Sequence, residues 1–165
     1  MTNLFNRYHT TLASPLGEVL ITGDGEHING VYLTQHKDFL ALKQNSQRQA
    51  DVFEQACQQL QEYFAGTRQQ FDLPLKQPGT EFQQTVWQAL QKLPAGKTVS
   101  YGDICQAINK PRAFQAVGAA NGANKIAIIV PCHRVVGKNG SLTGYAGGLT
   151  AKQWLLDHEK GHSIR

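Results

Sequence analysis

The chain has 165 residues, enough for one compact domain or two small ones, and a fold of this size buries about two-thirds of the surface of the extended chain. With 41% hydrophobic residues, and no uncharged run near the roughly 18 residues that cross a bilayer, the composition excludes a membrane-spanning chain. The net charge of +4 is unevenly spread: residues 1–79 hold six Lys/Arg against eight Asp/Glu, residues 80–165 ten against four.

MTNLFNRYHTTLASPLG places no apolar block behind a basic stretch, so no secretory leader is expected, and three cysteines cannot all pair within one chain. A reducing, cytoplasmic setting is the expectation. GEVLITG and HINGVYLT read as short strands joined at Gly23-Asp24-Gly25, a hairpin. From Asp51, the residues Phe53, Ala56, Cys57, Leu60, Tyr63 and Phe64 form one apolar helical face that Gly66 closes, with Cys57 as a buried small hydrophobe inside it. FDLPLKQPG, with Pro74 and Pro78, reads as an extended linker between an N-terminal α/β subdomain (1–78) and a C-terminal helical one (79–165).

Past the linker, helix starts are marked by side-chain caps. Thr80 with Gln83 opens a helix through Phe82, Val86, Leu90 and Leu93, and Ser100 with Asp103 repeats the capping box. Pro111, taken as a first helical position, opens a third helix that stops near Asn121-Gly122, and the Asn109-Lys110 turn makes the pair a helix-turn-helix candidate. The region suits a polyanion: Phe82 to Gly140 holds seven cations against the single anion Asp103. The second helix of the pair carries small side chains, better suited to shape than to base letters.

IAIIVPCHRVVGKNGSLTGYAGGL then reads as an apolar strand running into Pro131-Cys132-His133-Arg134 and Gly-rich loops. Cys132 is a candidate nucleophile and His133 a candidate base; neighbours on an extended chain point apart, so a water is expected to bridge them. Glu159, in a helix that Thr150 and Gln153 are expected to cap, would fix the imidazole tautomer.

PCHRVVG, with Asn124 eight positions earlier, GYAGGL after it and WLLDHE near the end, resembles the O6-alkylguanine-DNA alkyltransferase family, as do EYFAGTRQQFDLPL, GTEFQQTVWQAL and PAGKTVSYGDI. The resemblance implies a small ribonuclease-H-like α/β subdomain followed by a helical one with a winged helix-turn-helix. It further implies irreversible, single-turnover transfer of the alkyl group from O6-alkylguanine, and O4-alkylthymine, to Cys132, without a cofactor. His133 and Glu159 match the relay that removes the thiol proton, Tyr101 the tyrosine that donates to the leaving purine, and Asn124 the asparagine that ties the active-site turn to the DNA-binding helices. Tyr145, Ala146, Gly147 and Val135 match the alkyl pocket. Ala113, Phe114, Gln115 and Ala116 match the face laid on the minor groove of double-stranded DNA, with Arg112 and Arg134 as cationic neighbours, Arg134 either holding the local fold or meeting phosphate. Such binding is expected to be nearly sequence-independent and steeply salt-dependent, and the protein to act as a monomer.

Two positions depart from the family pattern: Gln115 stands where an arginine usually fills the space of the flipped base, and Lys125 where a proline is common. His9, His27 and His36 have no thiolate nearby in sequence, so no metal is expected. Two other readings stand beside the enzyme. One is a non-enzymatic lesion-binding relative, which Gln115 suggests but the presence of Cys132 opposes, and the other is a helix-turn-helix regulator with an inert Cys-His pair.

Overall fold

The protein was analysed as a computed structural model that describes residues 6–162. Three antiparallel strands open it, β1 (Tyr8–Ser14), β2 (Gly17–Gly23) and β3 (Ile28–Leu33), and the β2-β3 hairpin turns where the sequence places it. Strand β1 was not singled out in the sequence, because YHTTLAS carries little of the apolar alternation that marks a half-buried strand. Helix α1 (Phe39–Asn45) covers a minor cluster of Leu20, Tyr32 and Phe39 on one face. The two-residue β4 (Gln47–Arg48) then pairs parallel to β1, giving the order β3-β2-β1-β4.

Helix α2 (Glu54–Ala65) packs the expected apolar stripe into the main core, and Gly66 ends it at φ 84°, a left-handed cap that favours glycine. The linker is extended as predicted, yet it is not free: Ile28 N–H donates to Pro74 O at 2.7 Å, and Lys76 N–H donates to Ile28 O at 3.0 Å. The outer edge of β3 is therefore covered, which removes an open template for strand pairing.

Both predicted capping boxes form, on α3 (Glu81–Gln91) and α4 (Tyr101–Ala107). Helix α5 (Phe114–Gly122) starts three residues after Pro111, with Ala113 in the N-cap position, so Pro111 sits in the preceding turn and not in the first helical turn. The turn between α4 and α5 passes through Asn109 at φ 60°, a left-handed conformation that Asn tolerates.

The expected apolar strand before Cys132 does not exist. Residues 125–130 make only one isolated parallel bridge, Ile126 to Val31, before turning, and Ile128 takes φ 73°, unusual for a β-branched side chain. Cys132–Arg134 is a 3-10 turn, followed by β6 (Val135–Val136), parallel to β5 (Val99–Ser100). Apolar content alone could not separate a strand from a buried coil here. Helix α6 (Leu149–His162) begins before Thr150, and Lys152 N–H donates to Gly148 O, so Thr150 lies inside the helix and does not cap it.

One continuous core joins the two halves: Leu60 and Tyr63 of α2 share it with Val86, Leu90, Ile104, Val117, Ile126 and Leu155. No helix of the described residues is long and apolar enough to cross a membrane. Leu90 is fully buried in that core, so Leu90→Ala should destabilise the protein by about 2–5 kcal/mol in denaturant titration, through lost transfer energy plus a cavity.

Candidate active site

Cys132 is a free cysteine, 6% exposed, at the start of the 3-10 turn. Its backbone is tied from both sides: its N–H donates to Val130 O, and its carbonyl accepts from Asn121 Nδ2. Asn124 shapes the segment before it, donating from Nδ2 to Val130 O at 2.8 Å and accepting Ile126 N–H and Gln77 Nε2 on Oδ1. Burial pushes the Cys132 thiol above its usual range, while a hydrogen bond from Asn124 and the positive charge of Lys152 pull the other way.

His133 is completely buried, and its Nε2 lies 2.7 Å from Glu159 Oε2. Glu159 also accepts Arg134 Nε at 2.9 Å on Oε1 and Arg134 Nη2 at 3.0 Å on Oε2, a bidentate pair, and Tyr63 Oη donates to Oε2 at 2.6 Å. Burial alone would raise the Glu159 carboxyl, but His133 and Arg134 outweigh it and hold the acid far below the ordinary carboxylate range. Burial lowers the His133 imidazole, so at neutral pH the ring is neutral. An ionised Glu159 then places the ring proton on Nε2 and leaves Nδ1 as the acceptor, and this buried Nδ1 has no hydrogen-bond partner among the described residues. Cys132 and His133 lie in a 3-10 turn and not on extended chain, so the geometric reason for expecting a water bridge does not hold.

The other predicted residues divide. Tyr101 opens α4, and its hydroxyl lies 2.7 Å from Thr143 Oγ1. Tyr101, Phe114, Gln115, Gly118 and Lys138 help line a surface cavity of about 650 Å³; Cys132 is not one of its lining residues. Arg112, Phe114, Gln115 and Ala116 are exposed together, with Ala113 half-buried, so the small-residue face does reach solvent. Phe114, 54% exposed, is its largest apolar feature.

Tyr145 buries its hydroxyl without a partner and sets its ring edge-on to His133, with centroids 6.5 Å apart. Gly147 is held against β3: a Cβ there would come 2.7 Å from Leu33 Cδ1, which no side chain could occupy without a shift. Ala146 is exposed beside it. Val135 is completely buried in β6 as part of the core.

Arg134, expected either to hold the local fold or to meet phosphate, does the first: it is 4% exposed and its guanidinium donates to Glu159 and to Leu93 O, so its place among the DNA-contacting residues is corrected.

Lys152 is a residue that the sequence reading missed. Its side chain is fully buried, and Nζ donates to Val135 O at 2.8 Å and to Thr143 O at 3.3 Å, tying β6 to the loop that follows it. Lys152, Leu155 and Glu159 lie on one buried face of α6 at helical spacing, and charged residues in an apolar register were the readable signal. Among the described residues, no group of three His, Cys, Asp or Glu side chains could hold a metal ion.

A buried thiol, a neutral imidazole and an ionised carboxylate behind it are the parts that a cysteine nucleophile with a proton relay would need. Two family models match the chain, "6-O-methylguanine DNA methyltransferase, ribonuclease-like domain" over residues 7–77 and "6-O-methylguanine DNA methyltransferase, DNA binding domain" over residues 81–161. The chain is 48% identical to the constitutive methylated-DNA–protein-cysteine methyltransferase of Bacillus subtilis, covering 93% of this chain and 95% of that one. It is 45% identical to the Methanosarcina acetivorans methylated-DNA–protein-cysteine methyltransferase, covering 92% and 97%. A crystal structure of the Mycobacterium tuberculosis OGT in complex with DNA superposes with a TM-score of 0.87 at 42% identity, covering 94% of each chain. The chain belongs to the 6-O-methylguanine DNA methyltransferase family.

The buried His133 and Glu159 pair makes stability pH-dependent. Both folded-state shifts are downward, so each group contributes stability above its unfolded pKa, about 6.5 for His and 4.3 for Glu, and loses it as the pH falls towards its folded value. His9 and His36 are lowered by burial too and share the first window. The melting temperature should therefore fall on acidification from neutral pH, and His133→Gln should flatten the slope in that first window, as thermal melts across pH would show.

Proposed function

We propose that Cys132 is the residue that takes the alkyl group in this chain, in DNA repair by transfer from O6-methylguanine to protein. The observation that carries this reading is the buried Cys132, His133 and Glu159 set in a chain of this family. His133 Nδ1 takes the thiol proton through a bridging water, and Glu159 stabilises the imidazolium without itself being protonated. The thiolate attacks the alkyl carbon in line; the S–C bond forms as the bond between that carbon and O6 breaks, and the guanine leaves as an anion that then takes a proton. The Tyr101 hydroxyl donates to the purine as its charge develops. The thioether product has no bond that water readily cleaves, so each molecule acts once. O4-alkylthymine presents the same reacting bond and is included in the proposed substrate range.

The lesion reaches the thiol only if it leaves the stack, at a cost of a few kcal/mol. The surface at the start of α5, made of the exposed Arg112, Phe114, Gln115 and Ala116 with the half-buried Ala113 among them, is the proposed contact with the minor groove of double-stranded DNA, with Tyr145, Ala146 and Gly147 around the alkyl group. The division at residues 78 and 79 then separates a supporting sheet subdomain from the subdomain that meets DNA. The protein acts as a monomer in the cytoplasm on this reading. Lesion binding without transfer and gene regulation are less well supported, because neither uses the His133 and Glu159 relay behind Cys132.

Incubation with a duplex containing O6-methylguanine should add one methyl group to the peptide carrying Cys132, and an unchanged mass would overturn the reading. Cys132→Ser should abolish transfer while leaving DNA affinity within about twofold, since hydroxyl replaces thiol away from the phosphate contacts. Gln115→Arg should raise the single-turnover rate several-fold if filling the vacated stack limits it, because the guanidinium is longer, charged and able to stack. Rapid-quench kinetics on a short lesion-bearing duplex would measure the change.

A further inference from the structure

The relay oxygen Oε2 of Glu159 has a donor from outside the C-terminal half. Tyr63, on α2, donates to it at 2.6 Å across 96 positions of sequence, and His133 Nε2 lies 2.7 Å from the same atom. The neighbouring His158 Nε2 lies 2.6 Å from the Tyr63 backbone oxygen, so two consecutive residues of α6 are held by one residue of α2.

We propose that Tyr63 is a positioning residue of the relay: its hydroxyl completes the donor set of Glu159 and thereby sets how strongly His133 holds a proton. The inference rests on the proposed role of Cys132, His133 and Glu159 in proton removal. The Tyr63 ring is packed against Phe64, Phe71 and His158, with centroids 5.4, 5.7 and 5.3 Å away, and a phenylalanine ring would fill that space equally well. The hydroxyl has a separate purpose. Burial, then the nearby Glu159 charge, raise the phenol well above its ordinary value of 10.0, so it stays protonated wherever the protein is folded and cannot itself carry the relay proton. It acts by donating. A hydrogen bond to the carboxylate disperses negative charge, makes Glu159 a poorer partner for imidazolium and keeps His133 neutral and ready to accept. The N-terminal half thus tunes chemistry that resides in the C-terminal half.

The test reads the acid limb of Cys132 reactivity, below which His133 is already protonated from solvent and accepts nothing from the thiol. The full-length protein is treated with iodoacetamide over about pH 5 to 8, and modification is followed by mass at the peptide carrying Cys132, which separates it from Cys57 and Cys105. No DNA is needed, so failure of alkyl transfer from a lesion would leave this measurement intact. Tyr63→Phe should move the limb to higher pH by roughly half a unit or more, because the carboxylate then holds imidazolium more tightly. Replacing Tyr63 with 3-fluorotyrosine, a stronger donor of nearly the same shape, should move it to lower pH. A limb that stays in place in both variants, or moves the same way in both, would overturn the proposal and leave Tyr63 as packing. If Tyr63→Phe does not fold, the fluorinated protein decides alone: a downward shift supports the proposal, and no shift or an upward one overturns it.

Discussion

The buried carboxylate of Glu159 is the constraint around which the site is arranged. An ionised acid at 3% exposure is tolerated only with its charge matched and its oxygens supplied, and Arg134 does most of this through two parallel hydrogen bonds. The same arginine reaches Leu93 O just past the end of α3, so one ion pair ties α3, the 3-10 turn and α6 together. Leaving either charge alone would cost on the order of 3–5 kcal/mol, a large part of the stability of a small protein. That cost is why the sequence PCHRV works as a unit: the arginine neutralises the acid that orients the histidine beside the cysteine.

A second constraint runs through the backbone at the edge of β3. Val31 N–H donates to Lys125 O at 2.9 Å, and Ala127 N–H donates to Val31 O at 3.1 Å, so the segment leading to Cys132 docks on the sheet without becoming part of it. Gln77 sits between the linker and this segment, donating to Asn124 Oδ1 and accepting from Lys125 N–H. The sheet therefore acts as a rigid rail for the turn that carries Cys132, and Asn124 donates to the Val130 carbonyl just before it. The left-handed Ile128 lies inside this stretch, and that conformation persists because bonds on both sides fix it.

The parts of this arrangement that were legible in the sequence are those governed by local rules. The two capping boxes, the Gly66 stop, the β2-β3 hairpin and the pairing of His133 with Glu159 all follow from side chains acting within a turn or from a recognisable motif. The errors fall where long-range contacts override local preference. Residues 126–130 are as apolar as a buried strand, yet a sheet edge, Asn124 and a left-handed residue turn them into coil. Arg134 looks like any cation of a basic region, and only the folded chain reveals that a carboxylate 25 positions away claims it. Tyr63 fits an apolar stripe perfectly well, and nothing in its spacing announces that its hydroxyl has a partner 96 residues on.

Helix α5 contains no charged side chain from Phe114 to Gly122, and what it shows to solvent is two alanines, a glycine, one phenylalanine and one glutamine. Such a surface has almost no vocabulary with which to spell out a preferred address. Laid on DNA as proposed above, it would gain from that illiteracy, since no stretch of healthy text could detain it for long, and the pause that matters would be left to whichever nucleotide is loosest in its pairing.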